Sequence, residues 1–244
     1  MILLDCGNSQ VKAQFHDSGC LRASFSCSYK GDWCAQLRRW MQGLAARHCY
    51  FSSVLDSARQ AQLDACLARQ FDTAVTRFTS QAQALGVTNG YLDPARLGDD
   101  RWMALLAAAE IVDGDCLVID AGSAITLDLL CADGRHLGGA ILPGFNTSND
   151  EFKRIFSHID FEHAAITQKG SPGCSTEAAI HIDYDHHSTE TLPALVNRWT
   201  EIFTGEADVL LAGGDAFRVQ RLLEHRARIA PDLVFRGILR LASA

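Results

Sequence analysis

Asp5, Gly7, Asn8, Ser9 and Lys12 lie within the segment DCGNSQVK, and their types suit the holding of a phosphate. The apolar run Ile2 to Leu4 ends at Asp5, which sets a carboxylate at a strand end, on the rim of a sheet where ligands collect. Gly7 lets backbone come close to a ligand, and Asn8 and Ser9 offer donors to phosphate oxygens. Lys12 adds a compact positive charge suited to a terminal phosphate. An ordinary Asn-containing hairpin turn with a surface lysine accounts for the same letters. The recipe returns 115 positions after Asp5, in Asp120-Ala121-Gly122-Ser123-Ala124-Ile125-Thr126, again behind an apolar run. Two strand-end Asp-x-Gly turns facing one another would set two carboxylates and two phosphate-cradling loops around one site. That layout suits a nucleotide triphosphate with its metal. A third group, Gly98-Asp99-Asp100-Arg101, stands at a helix start. There one Asp can act as general base toward a hydroxyl, and Arg101 can grip a carboxylate. A plain N-terminal cap fits these residues too.

The elements that must position these groups follow from periodicity and turn residues. Ile2 to Leu4, Val11 to Phe15 and Leu21 to Ser28 read as three strands, the first two joined by a tight turn at Gly7-Asn8. A helical stripe (Leu37, Trp40, Met41, Leu44) marks Trp33 to His48. A strand over Tyr50 to Leu55, a helix over Ser57 to Gln70 and a strand over Thr73 to Phe78 come next. A helix runs from Asp99. The grammar then restarts with strands over Cys116 to Asp120, Ala124 to Cys131 and Gly138 to Leu142. Helices are expected at Asn149 to His158, Thr176 to Ile182, Leu192 to Phe203 and Asp215 to His225, with a strand at Val209 to Leu211. Both halves open on an apolar strand running into Asp and then Gly, which points to a duplicated domain with one cleft between the halves.

Composition narrows the class. The 244 residues are 48% hydrophobic and 21% charged, enough for a sizeable core. With 22 basic and 29 acidic side chains, the formal charge is −7, which argues against nucleic acid or an anionic membrane as main partner. The opening MILLDCGNSQ lacks a basic n-region and no run of 18 apolar residues occurs, so a soluble, cytoplasmic chain is expected. The nine cysteines (Cys6, Cys20, Cys27, Cys34, Cys49, Cys66, Cys116, Cys131, Cys174) are odd in number and lack C-x-x-C spacing. They read as reduced thiols, mostly buried as small hydrophobes.

Four ordered motifs carry a family resemblance: DCGNSQVK, the Tyr91-to-Trp102 stretch YLDPARLGDDRW, DAGSAIT and HLGGAILPGF. From residue 2 to about 214 the chain resembles the type III pantothenate kinases. Their superfamily includes acetate and sugar kinases, heat-shock cognate ATPases and actin. The resemblance implies an α/β fold of two ribonuclease-H-like (actin-like ATPase) halves with a central cleft, here 1–114 and 115–244. It implies that Asp5 to Lys12 form the ATP phosphate loop, with Asp5 near Mg²⁺. Tyr91 and Gly98, Asp99, Asp100 and Arg101 would contact pantothenate, Asp100 taking the proton from its primary hydroxyl. Asp120 would bind a monovalent cation (K⁺ or NH₄⁺), and Ser123 would touch ATP. Gly138, Gly139, Pro143 and Gly144 would shape a turn beside the site. Thr176 would reach pantothenate across the interface of a homodimer, and Gly213-Gly214 would form the late turn after a strand.

Some positions depart from the family pattern. Ser9 and Ser123 stand where Thr is usual, and both keep the hydroxyl. Ala212 replaces a Thr before the Gly pair. After Ile180 the chain continues as His181-Ile182-Asp183-Tyr184-Asp185-His186-His187 instead of a Gly-containing segment. Three His and two Asp there could bind Zn²⁺ or a similar ion, and a hydrolase built on His181, His186 and His187 is one rival reading. Another small-molecule kinase or phosphatase of the superfamily, or a nucleotide-binding regulator without turnover, are the others.

Overall fold

The computed structural model describes residues 1–70, 74–147, 154, 191–224 and 226–244. The chain divides into two compact units. The first comprises Met1–Asp113, Leu130–Gly138 and Asp232–Ala244; the second comprises Gly114–Leu129 and Gly139–Pro231.

In the first unit, strands β1 (Ile2–Cys6), β2 (Gln10–Asp17), β3 (Cys20–Ser28), β4 (Cys49–Ser53) and β5 (Val75–Arg77) form a sheet of order β3-β2-β1-β4-β5. The first three run antiparallel, whereas β4 is parallel to both β1 and β5. Ser18 and Gly19, both at positive φ (52° and 77°), close the β2–β3 hairpin in the primed geometry that matches strand twist. Every residue of β1 is buried, and alternation sends Ile2, Leu4 and Cys6 to one face and Leu3 and Asp5 to the other. The first face packs on α1 (Trp33–Met41) and α2 (Ser57–Ala68) through Leu37, Met41, Leu63 and Leu67. Asp32 and Asp56 cap the two helices through Ala35 N–H and Arg59 N–H.

The other face carries α3 (Asp99–Ile111) and α6 (Leu233–Ser243), which pack on each other and on the central strands. Helix α3 is buried from Arg101 to Ala108, as its nearly unbroken apolar sequence demands. Between β5 and α3 the chain makes a two-stranded ribbon, β6 (Gln83–Ala84) with β7 (Val87–Thr88), and a 3₁₀ turn at Pro94–Arg96.

The second sheet joins β8 (Cys116–Ala121), β9 (Ala124–Leu130), β10 (His136–Pro143), β11 (Asp208–Ala212) and β12 (Arg228–Ile229) in the order β10-β9-β8-β11-β12. This is the order of the first sheet, strand for strand, so Asp5 in β1 and Asp120 in β8 occupy corresponding strands. A helix over 191–200, α4, precedes β11, and α5 (Ala216–Leu222) lies between β11 and β12.

Several expectations need correction. Helix α1 ends at Met41, not His48, because Gln42 turns extended (φ −62°, ψ 129°) and Gly43 takes φ +83°. The sequence reading closed on the helix ending near His225; β12 and α6 follow it and complete the two units. The helices expected at Asn149 to His158 and Thr176 to Ile182 lie outside the described residues apart from Arg154, which is helical. The His181-to-His187 stretch and Cys174 also lie outside them. The eight described cysteines are free thiols. Burial pushes Cys49 up to about 12 and Cys66 to about 11, so these two behave as inert small hydrophobes. Among the described residues, no helix is long and apolar enough to cross a membrane.

The contact between α3 and α6 has no room to spare. A Cβ built on Gly237 would collide with the backbone of Met103. Arg240 reinforces the contact by donating to the Leu106 carbonyl and pairing with Glu110 at 3.3 Å. Gly237→Ala should therefore destabilise the fold by about 1–3 kcal/mol, the cost of overpacking, although helix propensity alone would favour alanine by about 1 kcal/mol. Urea unfolding of the two proteins measures the difference, and an alanine variant at least as stable as the parent would refute the close packing.

Candidate functional site

At the rim of the first sheet, Asp5 lies opposite Lys12 on β2 and beside Ser52 on β4. Lys12 Nζ stands 3.9 Å from Asp5 Oδ2. The Asp5 side chain is 12% exposed and that of Lys12 40%, so the carboxylate is held while the ammonium keeps reach. Ser52 Oγ is buried and has no hydrogen-bond partner among the described residues, an uncompensated polar atom beside the Asp5 position. The loop Gly7-Asn8-Ser9 is fixed from outside: Arg59 Nη1 donates to the Asn8 carbonyl at 3.3 Å, while its guanidinium lies 5.1 Å over the Tyr29 ring. A Cβ on Gly7 would meet nothing nearer than Gln10 O at 3.7 Å, so the fold itself leaves space at that loop.

The same end of the sheet anchors α3. Val54 N–H donates to the Cys6 carbonyl at 3.0 Å, just past β1. Arg77, the last residue of β5, donates to the Ser53 carbonyl (3.0 Å) and pairs with Asp99 Oδ2 (3.2 Å). Asp99 Oδ1 accepts from Ser80 N–H at 2.9 Å. Both oxygens of the buried Asp99 carboxylate are thus engaged in placing the start of α3. Asp100, one residue on, is half-buried, and its Oδ1 accepts from Arg101 N–H at 2.8 Å. Gly98 gives this carboxylate its room, because a Cβ there would stand 2.6 Å from Asp100 Oδ1.

Arg101 is 5% exposed. Its Nη1 donates to Tyr91 Oη at 2.7 Å, and its guanidinium carbon lies 5.5 Å from the Tyr91 ring centroid. Tyr91 N–H in turn donates to Asn89 Oδ1 at 3.0 Å, and Asn89 Nδ2 donates to the Gln81 and Pro94 carbonyls. The structure places Tyr91, Gly98, Asp100 and Arg101, which the resemblance grouped, beside one another. It adds Arg77, Ser80, Asn89 and His136, which sequence reasoning did not single out. Asn89 had a signal in the turn-forming Asn-Gly pair before Tyr91, and His136 opens the motif HLGGAILPGF without having been assigned a role; Arg77 had none.

In the second unit, Asp120 lies beside Ala212 of β11. A Cβ on Gly213 would be 2.5 Å from Asp120 Oδ1 and would strike the Ala121 carbonyl, and Gly213 takes φ +88°. Space and backbone both require glycine there, against the carboxylate. The Ser123 carbonyl accepts from Gly144 N–H (3.1 Å) and Thr147 Oγ1 (2.6 Å), which ties the Asp120–Ala124 turn to the segment after β10. Gly138 adopts φ +113° within β10. Thr176 is outside the described residues.

The family model for type III pantothenate kinase matches residues 1–182. A type III pantothenate kinase of Pseudomonas paraeruginosa is 38% identical over 250 residues, covering 98% of this chain and 97% of that one. One from Alkalilimnicola ehrlichii is 33% identical over 252 residues, covering 99% and 97%. The chain belongs to the type III pantothenate kinase family. Among solved structures, MreB5 of Spiroplasma citri bound to ADP superposes with a TM-score of 0.51 at 12% identity, covering 99% of this chain and 95% of that one. The ethanolamine utilization protein EutJ of Carboxydothermus hydrogenoformans gives 0.52 at 13% identity, covering 99% and 88%. These likenesses show the fold, the two-sheet α/β architecture of actin-like ATPases.

For this family member, the two acids at the start of α3 have separable behaviour. Asp99→Ala takes the acceptor from Ser80 N–H and the ion-pair partner from Arg77, and should cost about 1–3 kcal/mol in urea unfolding. Asp99→Asn, which still accepts from Ser80, should cost less. Unchanged stability in the alanine variant would show that the anchor carries no weight.

Proposed function

We propose that the chain phosphorylates pantothenate at the expense of ATP, giving 4′-phosphopantothenate in the first step of coenzyme A biosynthesis, and that Asp100 is its general base. Family membership supports the reaction, and one observation carries the site: buried Arg101, tied to Tyr91, follows directly on Asp100 at the start of α3. An anion grip and a base side by side are what an acid bearing a primary hydroxyl needs. Arg101 and Tyr91 hold the carboxylate end, and Gly98 gives the acceptor close access to backbone. Asp100, oriented by Arg101 N–H, takes the hydroxyl proton. Asp99 belongs to this acceptor segment through the anchor that it provides.

Asp5, Gly7, Asn8, Ser9 and Lys12 form the loop for the ATP phosphates, with Lys12 neutralising charge on the transferred group. The residues at the rim fit Mg²⁺: Asp5 is a carboxylate, and the Ser52 hydroxyl beside it, without a partner among the described residues, offers a further hard oxygen to the ion's water shell. Bound there, the ion would screen the phosphate oxygens. Asp120, set against the bare backbone of Gly213, fits a monovalent cation, K⁺ or NH₄⁺, and Ser123 contacts ATP. The working form in this reading is a cytoplasmic homodimer, with Thr176 contributed to the acceptor across the interface.

Asp100→Asn should lower kcat by about 10²–10⁴-fold while ATP affinity, measured by nucleotide titration, stays within about twofold. The parent should form ADP only when pantothenate, Mg²⁺ and K⁺ are all present. Near-normal turnover in the variant would sink the role of Asp100, and ADP formation independent of pantothenate would sink the reaction.

A further inference from the structure

We propose that His136 is a positioning residue for the acceptor grip, seating Tyr91 and, through it, the Arg101 guanidinium. This rests on the assignment of Tyr91 and Arg101 to pantothenate. His136 starts β10 and belongs to the segment Leu130–Gly138, which the first unit incorporates. That segment is docked by backbone. Thr88 N–H donates to the Gly134 carbonyl at 2.9 Å, and Thr88 and Arg135 form a parallel bridge. A Cβ on Gly90 would collide with the His136 carbonyl, so the two chains touch without side chains between them.

The imidazole delivered by this docking is 2% exposed. It stacks on the Tyr91 ring with centroids 5.9 Å apart and planes inclined by 16°. Its Nδ1 accepts from the N–H of Gly90, the residue before Tyr91, at 3.4 Å. One side chain thus holds the ring of Tyr91 and the backbone of the residue before it, while Asn89 holds the Tyr91 N–H. With the ring fixed from that side, Tyr91 Oη is held at 2.7 Å from Arg101 Nη1 and its π-face stays in reach of the guanidinium. A leucine or phenylalanine would fill the same buried volume but could not accept the Gly90 N–H. What His136 supplies is therefore a preorganised Arg101, whose advantage appears when the acceptor's carboxylate binds.

The arrangement predicts a selective kinetic signature. His136→Ala should raise KM for pantothenate by about tenfold while KM for ATP and kcat each stay within about twofold. His136→Phe, which keeps the stacked ring and loses only the acceptor nitrogen, should raise it by less than about threefold, and it serves if the alanine variant does not fold. In a Tyr91→Ala background, replacing His136 should change KM for pantothenate no further, because the route to Arg101 is already cut. Equal rises in both KM values, an unchanged KM for pantothenate, or additive effects in the double variant would each overturn the proposal. Arg101→Ala separates this from the underlying assignment. If that change alone leaves KM for pantothenate untouched, the acceptor site itself is wrongly placed, whatever His136 does.

Discussion

The Asp99 carboxylate holds the rest of the first unit's site in place. It reaches back from the first turn of α3 to Ser80 N–H and Arg77, and Arg77 reaches on to the Ser53 carbonyl. Val54, next along, is bonded to the Cys6 carbonyl at the end of β1. Strand β1, its parallel neighbour β4 and the start of α3 are thereby linked through a few short polar contacts. In a kinase this matters more than in many enzymes, since phosphoryl transfer depends mainly on positioning and charge. In the proposed reading, a displacement of about 1 Å in the α3 start would misplace Asp100 and Arg101 together.

Charge follows the same local logic. The chain is acidic overall, at −7, yet the proposed reaction requires it to hold ATP and a carboxylic acid. Net charge governs long-range behaviour, whereas binding is decided within a few ångströms. There Lys12 offsets Asp5 at 3.9 Å, and Arg101 lies within the acceptor segment. A buried arginine is costly to desolvate, and the cost is met here by Tyr91 on both its hydroxyl and its ring.

Much of this was legible in the letters because it is local. A strand ending in Asp-x-Gly, followed by a lysine that pairs back across the hairpin, needs only eight residues to be recognised, and β1 and β2 place them in direct register. The duplication was visible for the same reason, and the shared strand order of the two sheets is its structural counterpart. What escaped is what long-range packing decides. Helix α6 carries a strong apolar face, but its place depends on Gly237 meeting Met103, more than a hundred positions away. The β6–β7 ribbon has strands of two residues, too short for any period to register. His136 opens a strand just past a polar turn and acquires its contacts with Tyr91 and Gly90 because Leu130–Gly138 joins the first unit.

Duplication with divergence explains why two copies of one motif can take different tasks. The third residue of β2 is Lys12; the third residue of β9, in the corresponding strand, is the neutral Thr126. Beside Asp5 stands the Ser52 hydroxyl, whereas Asp120 has the methyl of Ala212 and the bare backbone of Gly213. The first acid thus has a positive side chain and a hydroxyl close at hand, a polar setting suited to a hydrated divalent ion among phosphates. The second has small, uncharged neighbours at the matching positions, and in the proposed reading a monovalent ion supplies the charge that Lys12 supplies in the first half. One ancestral strand-end carboxylate, kept twice, would then have been assigned to its ion by the residues on either side of it.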